Sequence, residues 1–267
     1  GFLKMLGRGF SAVTLAKWRL ARHVEIRFDS SHPIGGTHHQ KLLVVDDSLA
    51  MCGGIDMTSD RWDTPDHVDD DPRRVRPNGN PYRPWHDTAG IVDGPVAHAL
   101  GELARTRWRR ATGKRLPAPT AHDAAWPDIV EPLHRDIDVA VARTEPKAED
   151  HEEVREIEQL YVDMIGRARR FIYADNQYFA SRRVAEAISK RLEEPDGPEI
   201  VIINPVSADG WLQEAVMGSA RAELFYALAE IDRHDRFQIY TPVTAGGQHI
   251  YVHSKLMIVD DVVLRVG

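Results

Sequence analysis

His39 and Lys41, two positions apart, stand directly before the apolar run Leu42, Leu43, Val44 and Val45, which ends on Asp46 and Asp47. The same order returns without a gap at His253, Lys255, Leu256, Val259, Asp260 and Asp261. Lysine is scarce, with seven in 267 residues, and two of the seven occupy these matched positions. On an extended strand, residues two apart share a face and lie about 7 Å from one another. The spacing therefore points His39 and Lys41 the same way, and His253 and Lys255 likewise. Asp46 and Asp260 fall on the opposite face, where they brace the strand. If the two halves pack about a pseudo-two-fold axis, two imidazoles and two ammonium groups converge. Ammonium groups around one point favour a phosphate. Of two imidazoles there, one serves as nucleophile and the other as general acid, because histidine holds either protonation state near neutral pH. That chemistry is phosphodiester cleavage without a metal or other cofactor, the lysines supplying the charge stabilisation.

A competing set of ligands, His32, His38, His39 and Asp46, fits a metal poorly. Neighbouring histidines on a strand point to opposite faces, and a lysine beside a cation is repulsive. Hydrophobic residues make up 42% and charged residues 28%, a balance that supports a real core. Acidic residues outnumber basic ones 41 to 34, for a net charge of −7, which disfavours nucleic acid as a partner. The basic residues cluster at "RTRWRRATGKR", 105–115, as a helix end or a contact for lipid phosphate. Cys52 is the single cysteine, so there is no disulfide framework; this fits a reducing compartment, and a cytoplasmic location is slightly favoured. No run of about 18 apolar residues exists to form a transmembrane segment. The chain does not begin with methionine, so its natural start is expected to lie upstream.

The elements that must position these residues alternate along the chain. "VEIRF" (24–28), "KLLVV" (41–45), "AGIVD" (89–93) and "DVAVA" (138–142) read as strands. Pro95 opens a helix with Ala97, Leu100, Ala104 and Trp108 on one side, and Gly113 closes it. Residues 56–84, acidic and rich in proline, read as a long functional loop. "TEPKAEDHEE", 144–153, reads as a linker that divides the chain into 1–144 and 145–267. Beyond it a helix carries Ile157, Leu160, Tyr161, Met164, Ile165 and Ala168. The strand "RFIYA", a helix over 184–193, the strand "EIVIINP", a helix over 211–233, the strand "FQIYTPV" and the strand "HIYVHSKLMIVDD" follow. Alternation of this kind predicts α/β architecture.

The twice-occurring His-x-Lys-x4-Asp resembles the signature of the phospholipase D superfamily, in which six residues and then Gly-Gly or Gly-Ser follow the aspartate. Gly53 and Gly54 keep that offset after Asp46, within "GGIDMTSDRWD". Gly267 keeps it after Asp260 and is the last residue, so the second motif is expected to be cut short, and the first lobe to lack its opening helix and strand. "PWHDTAGIVDGPVAHAL", "GPEIVIINP" and "GWLQEAVMG" resemble further segments of bacterial phospholipase D-like proteins. "YADNQYF" is similar to the family's Ile-Glu-Asn-Gln-Tyr-Phe, with Asp175 in place of glutamate.

The resemblance implies two similar α/β/α sandwich lobes related by a pseudo-two-fold axis, with the active site at their interface. It implies that His39 attacks phosphorus and that His253 protonates the leaving alcohol, then activates water or an acceptor alcohol. Lys41 and Lys255 would hold the phosphoryl oxygens, and Asp87 of "PWHD" would contact and orient His253. Asn176 and Gln177 would line the cleft, and Arg61 and Trp62 its entrance. The implied substrate is a phospholipid at a membrane surface. A nucleic-acid phosphodiesterase of the same superfamily and a silent phospholipid-binding scaffold are the alternatives; the charge weighs against the first and the intact motifs against the second.

Overall fold

The structure is a computed structural model and describes residues 17–18, 20–29, 31–33, 36–120, 126–148, 151–206 and 219–267. In chain order its elements are β1 (Leu42–Val45), β2 (Leu49–Gly53), β3 (Trp85–His86), β4 (Ala89–Asp93), α1 (Pro95–Thr112), β5 (Thr144–Glu145), β6 (Val154–Arg155), α2 (Glu156–Arg167), β7 (Phe171–Asn176), α3 (Arg182–Leu192), β8 (Glu199–Ile203), α4 (Ser219–Ile231), β9 (Phe237–Tyr240), β10 (Tyr251–Val252), β11 (Lys255–Val259) and β12 (Val263–Val266). This is a mixed α/β fold. The chain divides into two units, Gly1–Ala50 with Val92–Ala140, and Met51–Ile91 with Val141–Gly267.

In the first unit, β1 and the portions of β2 and β4 that belong to it lie in the order β1-β2-β4. α1 starts with a proline in its first turn and stops at Gly113, whose φ of 74° is the left-handed conformation a glycine adopts most cheaply. Its Ala97, Leu100, Val96 and Leu103 cover Leu42, Val44, Ala50 and Val92. Leu43 and Val45 alternate to the other side and are exposed. β1 ends at Val45, and Asp46 and Asp47 take φ values of 49° and 56°. With Ser48 N–H donating to Val45 O at 3.0 Å, these are the two central residues of a tight hairpin turn. Asp46 therefore lies in the turn rather than on a strand face, and the period-two argument that placed it stops one residue earlier.

The second unit is built on a five-stranded sheet in the order β12-β11-β7-β8-β9. β7, β8 and β9 run parallel, whereas β11 is antiparallel to both β7 and β12. Helices α2, α3 and α4 bury the apolar faces of these strands, with Ile165, Ile172, Ile188, Leu192, Ile200 and Phe237 in the core. Ser181 caps α3 by accepting from Val184 N–H at 3.4 Å. Between β11 and β12, Asp260 and Asp261 have φ values of 56° and 60°, and Val262 N–H donates to Val259 O at 3.0 Å. Both copies of the motif thus run into the same turn. A separate parallel pair joins β3 to β10, Trp85 opposite Tyr251 and His86 opposite Val252.

Three expectations fail. Residues 24–28 and 138–142 form no strand. Val24, Phe28, Val139 and Val141 remain exposed, so their apolar patterns are not met by a partner strand and a covering layer. The stretch 249–261 is not one strand. It breaks at His253 and Ser254 because β10 pairs with β3 while β11 pairs with β7. The expected helix over 211–233 is described from Ser219 to Ile231; the residues before it lie outside the described residues, as does "GWLQEAVMG".

Candidate active site

The break after β10 leaves His253 beside the end of β3. The parallel pairing of β3 and β10 brings His86 O to His253 N–H at 2.8 Å. The next residue of the β3 segment, Asp87, then reaches His253 Nδ1 through Oδ2 at 2.7 Å, the contact that the resemblance implied. Both side chains are nearly sealed, 5% exposed for His253 and 3% for Asp87. A carboxylate at Nδ1 holds the imidazole in one tautomer and presents Nε2 for proton transfer. Asp87 Oδ1 is itself held by Thr88 N–H at 2.9 Å. The His253 ring lies 5.1 Å from the Trp85 ring, and Trp85 lies 4.7 Å from Tyr251. Guanidinium groups cap this stack, Arg61 over Trp85 and Arg83 over Tyr251, each at 4.0 Å.

Lys255 opens β11. Its ammonium donates to His253 O and to Gln177 Oε1, the latter at 3.1 Å. Gln177 Nε2 donates to Tyr251 Oη at 2.8 Å. Lysine has only donors, so this pairing assigns the amide orientation. Gln177 is buried and clamps Lys255, whereas Asn176 closes a local turn by accepting from Tyr178 N–H at 3.1 Å.

Gly53 and Gly54 are sites of close approach. A Cβ on Gly54 would overlap the Asp87 carboxylate and stand 3.0 Å from His253 O. One on Gly53 would overlap the Thr88 and Ala89 backbone. Here the glycines make room for the His253–Asp87 pair. Asp260 accepts from Arg169, Arg170 and Phe171 N–H at 2.8, 2.8 and 2.9 Å, so it braces the start of β7. Desolvation pushes its carboxyl up, but these three donors outweigh it and the net shift is downward.

In the first unit, His39 is exposed and Lys41 half-buried, and Lys41 Nζ donates to His39 O at 3.0 Å. The lysine-to-histidine-carbonyl bond therefore occurs in both motifs. Asp47 of the turn meets Arg105 at 2.7 Å and His98 at 3.4 Å, both on α1. The Arg105 hydrogen bond lowers the Asp47 carboxyl despite desolvation. Gly101, between them on the helix, is required because a Cβ would overlap the Asp47 carboxylate. Arg107 is likewise engaged, with Asp29 at 3.2 Å and Gln40 at 3.2 Å. His38 sits 3.1 Å from Asp29 and edge-on to His32 at 5.4 Å. Among the described residues, no group of three or more His, Cys, Asp or Glu is arranged to hold a metal ion.

The family model described as Phospholipase D matches residues 21–187, more than half of the chain. The chain belongs to the phospholipase D family. Phospholipase D alpha 1 of Nicotiana tabacum is 30% identical over 194 residues, which cover 54% of this chain and 24% of the relative. Phospholipase D alpha 1 of Carica papaya is 25% identical over 352 residues, covering 86% of this chain and 43% of the relative. The chain thus spans from a quarter to under half of the length of these phospholipases D.

Several residues around His253 and Asp87 were not legible in the sequence. Asp63, at the end of "GGIDMTSDRWD", is 3% exposed and organises the long loop. It accepts from Arg74 at 3.0 Å, from Trp85 N–H at 2.8 Å and from Thr64 N–H at 2.8 Å, and meets His67 at 3.0 Å. Asp69 accepts from Thr244 Oγ1 and from Gly246 N–H, the latter at 2.7 Å, tying this loop to the turn that precedes β10. Arg61 packs on Trp85, while Trp62 is exposed under Arg73 at 4.8 Å. His86 and Asp175 form a second histidine–carboxylate pair at 2.9 Å. The phospholipase D-like segments "PWHD" and "YADNQYF" contain both, but nothing in either spacing pairs one with the other. No helix among the described residues is long and apolar enough to cross a membrane.

Proposed function

We propose that this chain carries the catalytic residues of a phospholipase D-type phosphodiesterase acting on glycerophospholipids at a membrane surface. The observation that carries the reading is the Nδ1-held imidazole of His253, 2.7 Å from Asp87, inside the second of two matching His-x-Lys-x4-Asp motifs. The reading includes two lobes related by a pseudo-two-fold axis, each bringing one motif to the same phosphoryl group. It rests on the repeat itself and on the identical turns that end both copies.

In the proposed reaction a ring nitrogen of His39 attacks phosphorus as the bond to the alcohol oxygen breaks. His253 delivers a proton from Nε2 to that oxygen. Water or an acceptor alcohol then loses a proton to His253 and attacks phosphorus, and the phosphorus–nitrogen bond breaks. Lys41 and Lys255 stabilise the phosphoryl oxygens. Asp87 favours the imidazolium that forms after proton uptake, as a carboxylate beside an imidazole does in acyl transfer.

The test uses the full-length protein and a phosphatidyl-nitrophenol substrate, quenched at acid pH, with peptide mapping of the label. Label on His39 supports the assignment. His39→Ala abolishes it, and His253→Ala lets it form but decay slowly. A label on His253 in the wild type would reverse the roles, and no label on either histidine would end the covalent mechanism.

A further inference from the structure

We infer that Asp175 is a positioning residue for the His253–Asp87 pair, a buried carboxylate set against both backbone segments that carry the pair. The inference rests on the reading that His253 transfers protons, and names what holds it in place. Asp175 lies on β7, opposite Leu256 of β11, with its side chain 3% exposed. His86, the residue immediately before Asp87, reaches its Oδ2 through Nε2 at 2.9 Å. Ser254, the residue immediately after His253, is fully buried and brings its hydroxyl to the same carboxylate, close enough to lower it though short of a well-formed hydrogen bond. Tyr173, two residues earlier on the same side of β7, adds to the lowering of its carboxyl.

Side chains alternate along an extended segment, so the register of β3 with β10 sorts these groups. Trp85, Asp87, Tyr251 and His253 share one side of the two-stranded ribbon. His86 and Ser254 share the other, where Asp175 waits. The ribbon is only two residues long in each strand, too short to fix its own twist. Asp175 anchors it to the five-stranded sheet from behind. Desolvation works against the buried carboxylate, yet His86 at its Oδ2, with smaller contributions from Tyr173 and Ser254, keeps it lowered. His86 acts here as a donor to Asp175, not as an acid or base.

The test measures turnover of a soluble phosphodiester by the full-length protein, together with the unfolding midpoint of each variant. Asp175→Asn lowers kcat by about 10²-fold, the order expected when a proton-transfer group is displaced by about 1 Å. KM stays within about twofold, because no substrate contact is removed. Asp175→Glu, which keeps the carboxylate, restores most of the rate. His86→Gln, which keeps an N–H donor, is far more active than His86→Leu. In an Asp87→Asn background, Asp175→Asn adds less than about threefold, since it acts through a contact already lost. A silent Asp175→Asn beside a costly Asp87→Asn overturns this inference alone, as does a full additional loss in the double variant. An inactive His86→Gln overturns it in favour of a titrating histidine. An Asp87→Asn variant with wild-type turnover sinks the functional reading and this inference with it. If Asp175→Asn does not fold, the His86→Gln and His86→Leu comparison decides.

Discussion

Gln177 Oε1 accepts a hydrogen bond from the ammonium of Lys255 at 3.1 Å, inside the second motif. With its other end on Tyr251, Gln177 links the lysine to the aromatic stack beside His253. A lysine side chain has four rotatable bonds, and fixing its head before substrate arrives removes an entropic cost from the bound state. Gln177→Leu is expected to lower kcat/KM by about 10-fold or more, matching the loss of one charge-assisted hydrogen bond. Tyr251→Phe, which frees the far end of the amide, lowers it less. Steady-state kinetics on both variants check this, and an unchanged Gln177→Leu refutes it.

Gly54→Ala is expected to strike activity harder than stability. Its Cβ would overlap the Asp87 carboxylate, so either Asp87 leaves His253 or the two segments part. The rate should fall toward that of Asp87→Asn. Comparing the two variants in one assay tests the point; an active Gly54→Ala would show that Asp87 can shift without consequence.

Arg74 and Asp63 form a buried ion pair at 3.0 Å, 2% and 3% exposed. Arg74→Leu leaves the carboxylate with less compensation in a dry site and is expected to destabilise by about 3 kcal/mol. The loss reaches the site, because Asp63 also holds Trp85 N–H. Chemical denaturation measures the first effect and limited proteolysis within 56–84 the second. Equal midpoints for variant and wild type would contradict both.

Acid should unfold the second unit through carboxyls held below their ordinary range. Asp260 and Asp175 are both lowered in the folded chain, against desolvation, by backbone donors and by His86 respectively. A depressed carboxyl contributes stability that is present above its unfolded value, near 4, and is lost as pH falls through the folded value. The unfolding midpoint is therefore expected to drop as pH is lowered below about 4. Asp260→Asn should lower the plateau at neutral pH and flatten this limb. A variant whose acid limb matches the wild type would remove Asp260 as a contributor.

Turnover of the full-length protein is expected to survive EDTA, because Lys41 and Lys255 supply the charge opposite the phosphoryl oxygens. Activity lost to the chelator and recovered with a divalent ion would replace that reading.

Residue order alone was enough to reveal the repeat, since His39, Lys41 and Asp46 match His253, Lys255 and Asp260 one for one. It was also enough to place α1, whose apolar period is long and whose ends carry Pro95 and Gly113, and the short apolar runs of β7, β8 and β9. These features are local, written within a few residues of one another. The pairing of Asp87 with His253, of Asp175 with His86 and of Gln177 with Lys255 joins positions 166, 89 and 78 residues apart. No local spacing encodes those distances. They follow from a strand break after Val252, which lets one segment pair with β3 and the next with β7. The same break turned Gly54 from a residue of a motif into the space that Asp87 occupies, and only packing in three dimensions could decide that.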